Sequence, residues 1–395
     1  MKQVVIVGLG MNADTLTGQG LHAVEQADAL IGAPRLIELF KKLGKPSFAE
    51  YAPESVVRIV NEHAGERFCV LVSGDTGFYS AAGGLCAALK DCSLTLVPGV
   101  SSMSYFFARL LRPWQDAAVI SCHGRRANLA DAVRRNRLTF VLTGGNVEVL
   151  GEGLAKAGFD ELTVHVGENL GTPQERILTL PASGLPAAGI GNLAVLLIEN
   201  PGYDRRVRCG IPDDEFIRGG VPMTKAEVRA VTMSRLALFP QAVCCDIGAG
   251  TGSVTVEMAL AAYEGQVYAL DKNEEAIRLV ATNCRAFHIG NVTPIFDVAP
   301  EALEKLPALD AAFIGGSSGR LGEIFEALLI KSPRIRIVVN AVTLETVHEA
   351  KEAFAAHGIV PEITQIGVTH ARPVGNLHML QAGSPVFILS GGGNE

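Results

Sequence analysis

Val243-Cys-Cys-Asp-Ile-Gly-Ala-Gly-Thr-Gly-Ser-Val254 decides how this chain is read. Five mostly apolar, strand-like residues run into Gly248, Gly250 and Gly252, and a helical run begins at position 254. Strand, glycine turn and helix in that order bring backbone amides close to a ligand, because glycine has no β-carbon to hold the ligand off. A second predicted strand, 266–270, ends in Asp271, where a carboxylate accepts hydrogen bonds from ribose hydroxyls. Two nucleoside ligands fit, a dinucleotide and S-adenosylmethionine; a glycine turn that binds nothing is the bland reading. Ser253 stands where a dinucleotide fingerprint has its third glycine, and Asp246 lies two residues before the first. A carboxylate there repels a pyrophosphate and attracts an ammonium and a sulfonium, which favours S-adenosylmethionine.

The surrounding pattern extends this. Predicted strands at 266–270, 292–296, 308–314 and 334–340 alternate with helices at 274–287, 300–305, 321–330 and 344–357. Two last strands, near 362–368 and 386–389, close the chain without an intervening helix. The prediction is a Rossmann-like α/β unit with a seven-stranded sheet, of the class I methyltransferase arrangement. Upstream, Thr224 with Glu227 three residues on reads as a capping box opening an amphipathic helix.

The first half also alternates. A strand at 3–7 leads into Gly8-Leu-Gly10-Met-Asn-Ala13, a G-x-G-x-x-A pattern whose helix starts only near Leu16, so the glycines do not open it. Strands at 68–72 and 93–97 end in Ser73-Gly-Asp-Thr-Gly77 and Pro98-Gly-Val-Ser-Ser102, which places two small, polar loops at one edge of a parallel sheet. Neither has the Gly-Lys-Ser/Thr of a phosphate cradle, which speaks against ATP. Arg125, Arg126, Arg134, Arg135 and Arg137 are the densest basic run here. Arg125, just past a strand at 118–121, is the candidate for pairing a substrate carboxylate, and the last three read as a solvated helix face.

Composition sets outer limits. At 395 residues, 48% hydrophobic and 19% charged, the chain has room for two ordered domains. A formal charge of −7 excludes a nucleic-acid backbone as the main partner. Eight cysteines show no C-x-x-C pair, sit largely in apolar, core-like surroundings where cysteine behaves as a small hydrophobe, and fit a reducing cytoplasm. No cleavable leader and no apolar run of membrane-spanning length is present, so the expectation is a soluble, cytoplasmic protein. No metal-ligand cluster has usable spacing, and no metal is expected. The Gly-, Pro- and charge-rich stretch after Asn200 reads as a linker, dividing the chain into domains at 1–200 and 223–395 with the linker at 201–222.

These motifs carry two resemblances. Gly8-Leu-Gly10, Ala27-Asp28, Ser73-Gly-Asp75, Pro98-Gly-Val-Ser-Ser102, His123-Gly-Arg125 and Val166-Gly-Glu168, in order over about residues 1–200, resemble the tetrapyrrole (corrin/porphyrin) methylase family. That resemblance implies two α/β subdomains holding S-adenosylmethionine between them. The implied contacts are Gly74, Asp75, Ser101 and Ser102, with backbone contacts near Thr143 and Asn192. Gly10-Met-Asn replaces the family's frequent Gly-Pro-Gly, and this loop is expected to line the substrate trough. Ile211-Pro-Asp-Asp-Glu-Phe216, Thr224-Lys-x-Glu-Val-Arg229, Asp246-Ile-Gly-Ala-Gly-Thr-Gly252 and Phe313-Ile-Gly-Gly-Ser317 are similar to the decarboxylating precorrin C15-methyltransferase domain, over about residues 208–390. This implies cofactor contacts at Thr224, Gly248, Ala249, Gly250, Thr251, Gly252, Asp271 and Ala299. Asp297-Val298-Ala299 departs from the family's Gly-Asp-Ala, so an adenine contact from position 298 is lost.

Together the resemblances imply two methyl transfers, at C5 and C15 of an acidic tetrapyrrole (a precorrin), with decarboxylation of an acetate side chain in cobalamin biosynthesis. One S-adenosylmethionine per domain, a homo-oligomer, and hand-over to neighbouring pathway enzymes follow from the same implication. Lys225, Arg229, His370, Arg372 and His378, with Arg125, are the candidates for substrate carboxylates. Two alternatives stand beside this: one domain serving as a non-catalytic corrin-binding module, or an NAD-dependent Rossmann enzyme using both glycine loops.

Overall fold

In the computed structural model, which describes residues 1–123, 127–206 and 208–393, apolar runs build three main sheets. The first is all parallel, in the order Ser47–Phe48, Ala29–Gly32, Arg67–Val72, Gln3–Gly8, Ser93–Val97. The central strands are enclosed because helices cover both faces, which is why they read as unbroken hydrophobic runs rather than alternating ones. Thr17 caps helix Gly18–Gln26 by accepting from the Gly20 amide, and only a short 3-10 turn, Ala13–Thr15, follows the first glycines. The late helix start read from the sequence is thus what forms.

The second sheet runs Ala117–Ser121, Leu138–Leu142, Ala194–Glu199, Thr163–Glu168, Arg176–Pro181. Its first pair is parallel and the rest antiparallel. Two loops tie it to the first sheet: Asn12 Nδ2 donates to the Gly171 carbonyl at 2.9 Å, and Gly171 lies so close to Met11 that a β-carbon there would meet the Met11 Cβ at 2.6 Å. The Gly10-Met-Asn loop therefore joins the two sheets.

The third sheet has seven strands, ordered Val292–Phe296, Gln266–Asp271, Val243–Ile247, Ala311–Ile314, Arg336–Ala341, Val386–Gly392, Glu362–Ile366. Five are parallel; Val386–Gly392 is antiparallel to both its neighbours. The mixed α/β, seven-stranded architecture expected from the alternation is the one that forms. Helix Ser253–Ala261, which leaves the glycine loop, is buried along residues 253–259. Its Val254, Val256 and Met258 pack into the same core as Cys244 and Val267, each contributing about 1.5–3 kcal/mol by leaving water.

Three local expectations give way. Helix Ala226–Leu236 begins one residue later than the capping-box reading requires: Lys225 is its N-cap, and no side chain caps it. The Thr224 carbonyl is instead taken by the Arg229 guanidinium, so the segment turns before Thr224 can cap. A hairpin, Thr369–Val374 with Leu377–Ala382, stands between the last two sheet strands where none was read. Its signal was Gly375-Asn376 between two short runs. The cysteines are less uniformly enclosed than expected: all eight are free, but Cys209 is exposed and Cys86, Cys92 and Cys122 are half-buried. Among the described residues no helix is long and apolar enough to cross a membrane.

Candidate active site

The seven-stranded unit presents a cleft of about 310 Å³ at the C-terminal ends of its parallel strands, where open α/β sheets bind ligands. Gly248, Gly250 and Gly252 have φ of +76°, +56° and +79°, a region that costs other residues about 1–2 kcal/mol each. Space decides as well as φ: a β-carbon on Gly248 would sit 2.8 Å from the Gly316 nitrogen, and one on Gly250 would sit 2.5 Å from the Pro222 carbonyl oxygen. Asp271 fixes this loop. Its Oδ2 accepts from the Gly250 amide at 2.9 Å and its Oδ1 from the Asn273 amide at 2.9 Å. Each carboxylate oxygen keeps a second lone-pair direction for a hydroxyl.

Asp246 is fully buried at the end of its strand. Its Oδ2 accepts from the Thr255 hydroxyl at 2.5 Å, while among the described residues Oδ1 has no partner, and neither does the buried Thr251 hydroxyl. Buried polar atoms without partners are rare; Asp246 lies just before the glycine loop and Thr251 within it. Burial pushes the Asp246 carboxyl up to about 7, and the Asp271 charge adds to it while the Thr255 hydroxyl opposes. Asp271 in the cleft lining and the buried Asp246 behind the glycine loop are thus the acids that suit a ligand with ribose hydroxyls and a cationic group.

Of the cofactor residues read from the second resemblance, Thr224, Gly248, Ala249, Gly250, Asp271 and Ala299 line this one cleft; Thr251 and Gly252 continue the same loop behind it. Val298 also lines it, and the Asp297 carboxylate is occupied by Lys305 at 3.0 Å and by the Val298 amide at 2.8 Å, which hold it below the usual carboxylate range. Lys272, which sequence reasoning passed over although it follows Asp271 directly, spans to the Ser318 hydroxyl at 2.9 Å across the lining. Asn283 was missed too. It is buried mid-helix, donates to the Thr251 carbonyl at 2.8 Å and accepts from the Ile217 amide at 2.8 Å, and an asparagine within a helical run carries no sequence mark of that role.

The carboxylate candidates separate. Lys225 stays half-exposed with its amine 3.4 Å from Asp213. Arg229 is a correction: its side chain is wholly buried, paired to Glu257 at 2.6 Å and bonded to the Thr224 and Ile211 carbonyls, so it cannot meet substrate. His370 and Arg372 share one face of the exposed hairpin, by their i, i+2 spacing. His370 approaches Glu227 at 3.4 Å. His378 pairs with Pro373 in the register and so points to the opposite face, away from those two. Arg125 lies outside the described residues.

In the first half, Gly10 and Gly74 exchange backbone hydrogen bonds at 3.1 and 3.0 Å. Asp75 accepts from the Gly77 amide at 2.8 Å and the Gly99 amide at 3.2 Å, which joins the two loops predicted to share an edge. Ser101 caps helix Ser102–Arg109 by accepting from the Ser104 amide at 3.0 Å. On the second sheet, the buried Thr143 hydroxyl donates to the Ala194 carbonyl at 2.7 Å, and Asn192 packs beside Gly145. The structure therefore assembles these residues as two groups, one at the ends of each sheet's strands.

Comparison with known proteins adds an independent line. Residues 3–186 match the family of Tetrapyrrole (Corrin/Porphyrin) Methylases, and residues 214–391 match the Precorrin methyltransferase domain. Precorrin-6Y C(5,15)-methyltransferase [decarboxylating] from Sinorhizobium sp is 30% identical over 394 residues, covering 96% of this chain and 94% of that protein. A probable cobalt-precorrin-6B C(15)-methyltransferase (decarboxylating) from Pyrobaculum calidifontis is 42% identical over 184 residues, 46% of this chain and 94% of its own. A crystal structure of precorrin-6y C5,15-methyltransferase from Geobacter metallireducens GS-15 is 38% identical, covering 47% of this chain and 98% of that one, with a TM-score of 0.45.

Proposed function

Since this chain belongs to the family of the decarboxylating precorrin-6Y C5,15-methyltransferases, we propose that it is a bifunctional S-adenosylmethionine-dependent C-methyltransferase of cobalamin biosynthesis. It methylates a precorrin at C5 and C15 and removes CO₂ from an acetate side chain. Residues 1–200 form the C5-methylating domain, 201–222 the linker and 223–395 the C15-methylating, decarboxylating domain. Each domain takes one S-adenosylmethionine. The observation that carries the reading is the half-partnered Asp246 beneath three positive-φ glycines, closed by Asp271.

When bound, the cofactor supplies a methyl group on a sulfonium, already activated for transfer. The chain's task is then alignment, worth on the order of 7–11 kcal/mol in favourable cases. Asp271 holds the ribose hydroxyls and the loop together, and the glycine amides meet the rest of the ligand without a β-carbon in the way. An enamine-like ring carbon needs no strong base, and the ring itself accepts the electrons released with CO₂. Lys225, His370 and Arg372, with Arg125 in the other half, hold the remaining substrate carboxylates in this scheme. In the first domain the Gly74, Asp75, Ser101 and Ser102 loops, with Thr143 and Asn192, form the second donor site. Assembly into a homo-oligomer and hand-over to neighbouring pathway enzymes belong to the same proposal; light scattering on the purified chain measures the former.

Equilibrium dialysis with labelled S-adenosylmethionine separates the readings: two sites per chain supports this one, a single site a non-catalytic partner domain, and none an NAD enzyme. Mass detection of two added methyl groups and one lost CO₂ completes the test. Asp271→Ala is expected to weaken donor binding in the second domain by about tenfold or more, since it removes both the ribose acceptor and the Gly250 anchor. The first domain's affinity stays at the parent value; a joint loss would sink the two-site picture.

The raised Asp246 group predicts a pH dependence. Its folded value, about 7, exceeds the ordinary 3.8, so between these values the unfolded chain holds fewer protons and stability falls as pH rises. Above about 7 that loss is complete. A cationic ligand favours the carboxylate, so the second domain's affinity for S-adenosylmethionine should rise about tenfold from roughly pH 6 to pH 8. Asp246→Asn should flatten that slope; calorimetric titration across the range checks both.

A further inference from the structure

Arg229 and Glu257 lie outside the cleft, yet among the described residues their other side-chain hydrogen bonds, including one from Arg229 to Asp213, go to the stretch 210–224 that leads to its wall. Glu257 accepts from the Ile211 amide at 2.9 Å and from the Gly210 amide at 3.0 Å. Arg229 donates to the Ile211 and Thr224 carbonyls as well as to Glu257, and its guanidinium carbon stands 4.7 Å from the centre of the Phe216 ring. The side chains are 0% and 1% exposed. Val221, Pro222 and Thr224 line the cleft, and the Pro222 carbonyl leaves no room for a β-carbon on Gly250. Glu257 sits on helix Ser253–Ala261, which starts directly from the glycine loop. One ion pair thus connects the helix that carries one wall to the chain that forms the other.

A buried ion pair is a poor source of stability, because desolvating both charges offsets their attraction, and apolar residues of like size often do as well. What apolar residues cannot do is bind two amides and two carbonyls of a segment whose only regular element is the short 3-10 turn Asp213–Glu215. We propose that Arg229 and Glu257 are positioning residues, which set the distance of the 221–224 wall from the glycine loop and so the affinity of the second domain for S-adenosylmethionine. The inference rests on reading that cleft as the donor site.

The test uses the full-length double variant Arg229→Met/Glu257→Met, which removes both charges together and leaves neither buried alone. Two quantities are read: KM for S-adenosylmethionine against kcat in C15 methylation, and amide hydrogen exchange over residues 210–224 with and without S-adenosylhomocysteine. The expected result is a KM raised at least tenfold, kcat within about threefold of the parent, and faster exchange at 210–224. An unchanged KM, or a raised KM with parental exchange at 210–224, overturns the proposal. If the double variant does not fold, Arg229→Lys keeps the charge without the fork and is judged by the same two readouts. Failure of the parent itself to bind S-adenosylhomocysteine, with no protection at 221–224, would count against the donor-site reading instead.

Discussion

Gly248→Ala is expected to remove the second domain's donor site while sparing the first. The new β-carbon would lie 2.8 Å from the Gly316 nitrogen and 3.0 Å from both its Cα and its carbonyl oxygen. All three are backbone atoms and none can rotate away. The positive φ adds about 1–2 kcal/mol of strain. Relief requires the glycine loop to part from the Gly315-Gly316 loop, and both line the cleft. A displacement of about 1 Å at a reacting centre costs on the order of 100-fold in rate, so C15 methylation should fall by at least that factor. Equilibrium dialysis should find one S-adenosylmethionine per chain instead of two. Retention of both sites would show that the loop is not what holds the ligand.

Gly99→Ala is the reciprocal experiment. A β-carbon there would meet the Gly74 and Gly8 carbonyl oxygens at 2.3 and 2.4 Å, well inside contact distance. Gly8 ends the fourth strand of the first sheet, and Gly74 follows the central strand beside it, so the two strand ends must spread. The Gly99 amide, which donates to Asp75, moves with them. Overpacking of this kind costs about 1–3 kcal/mol of stability, visible as a lowered Tm of the first domain's unfolding. C5 methylation should fall at least about 100-fold and one donor site should vanish, this time with the second domain's affinity intact. Survival of the first site in the variant would remove Gly74 and Asp75 from the donor pocket.

The third sheet was legible because its pattern is local. Each strand is a short apolar run, each turn is marked by glycine or a polar cluster, and the spacing of Asp246, Gly248–Gly252 and Asp271 is a one-dimensional fact that folding only brings together. In the first sheet the strands at 3–7, 68–72 and 93–97 were legible for the same reason, with Asp75 bridging the loops that the alternation had placed on one edge; the second sheet was legible only in part, as at 118–121.

Arg229 shows where that legibility stops. In the sequence it is a cation four residues after Lys225, equivalent to it as a carboxylate partner; only packing leaves one exposed beside Asp213 and seals the other against Glu257. Thr224 carries the residues of a capping box, yet its carbonyl is claimed by a guanidinium that belongs to the next helical turn. His370, Arg372 and His378 are close in sequence and divided by a hairpin register that puts the third on the opposite face. The chain by itself therefore determined its strands, its glycine loops and the acids that serve them, since these depend on periodicity and on backbone freedom written residue by residue. Which charges face water, which are buried as pairs, and which wall faces the ligand were decided by tertiary structure, because desolvation and hydrogen-bond partners exist only once distant segments meet.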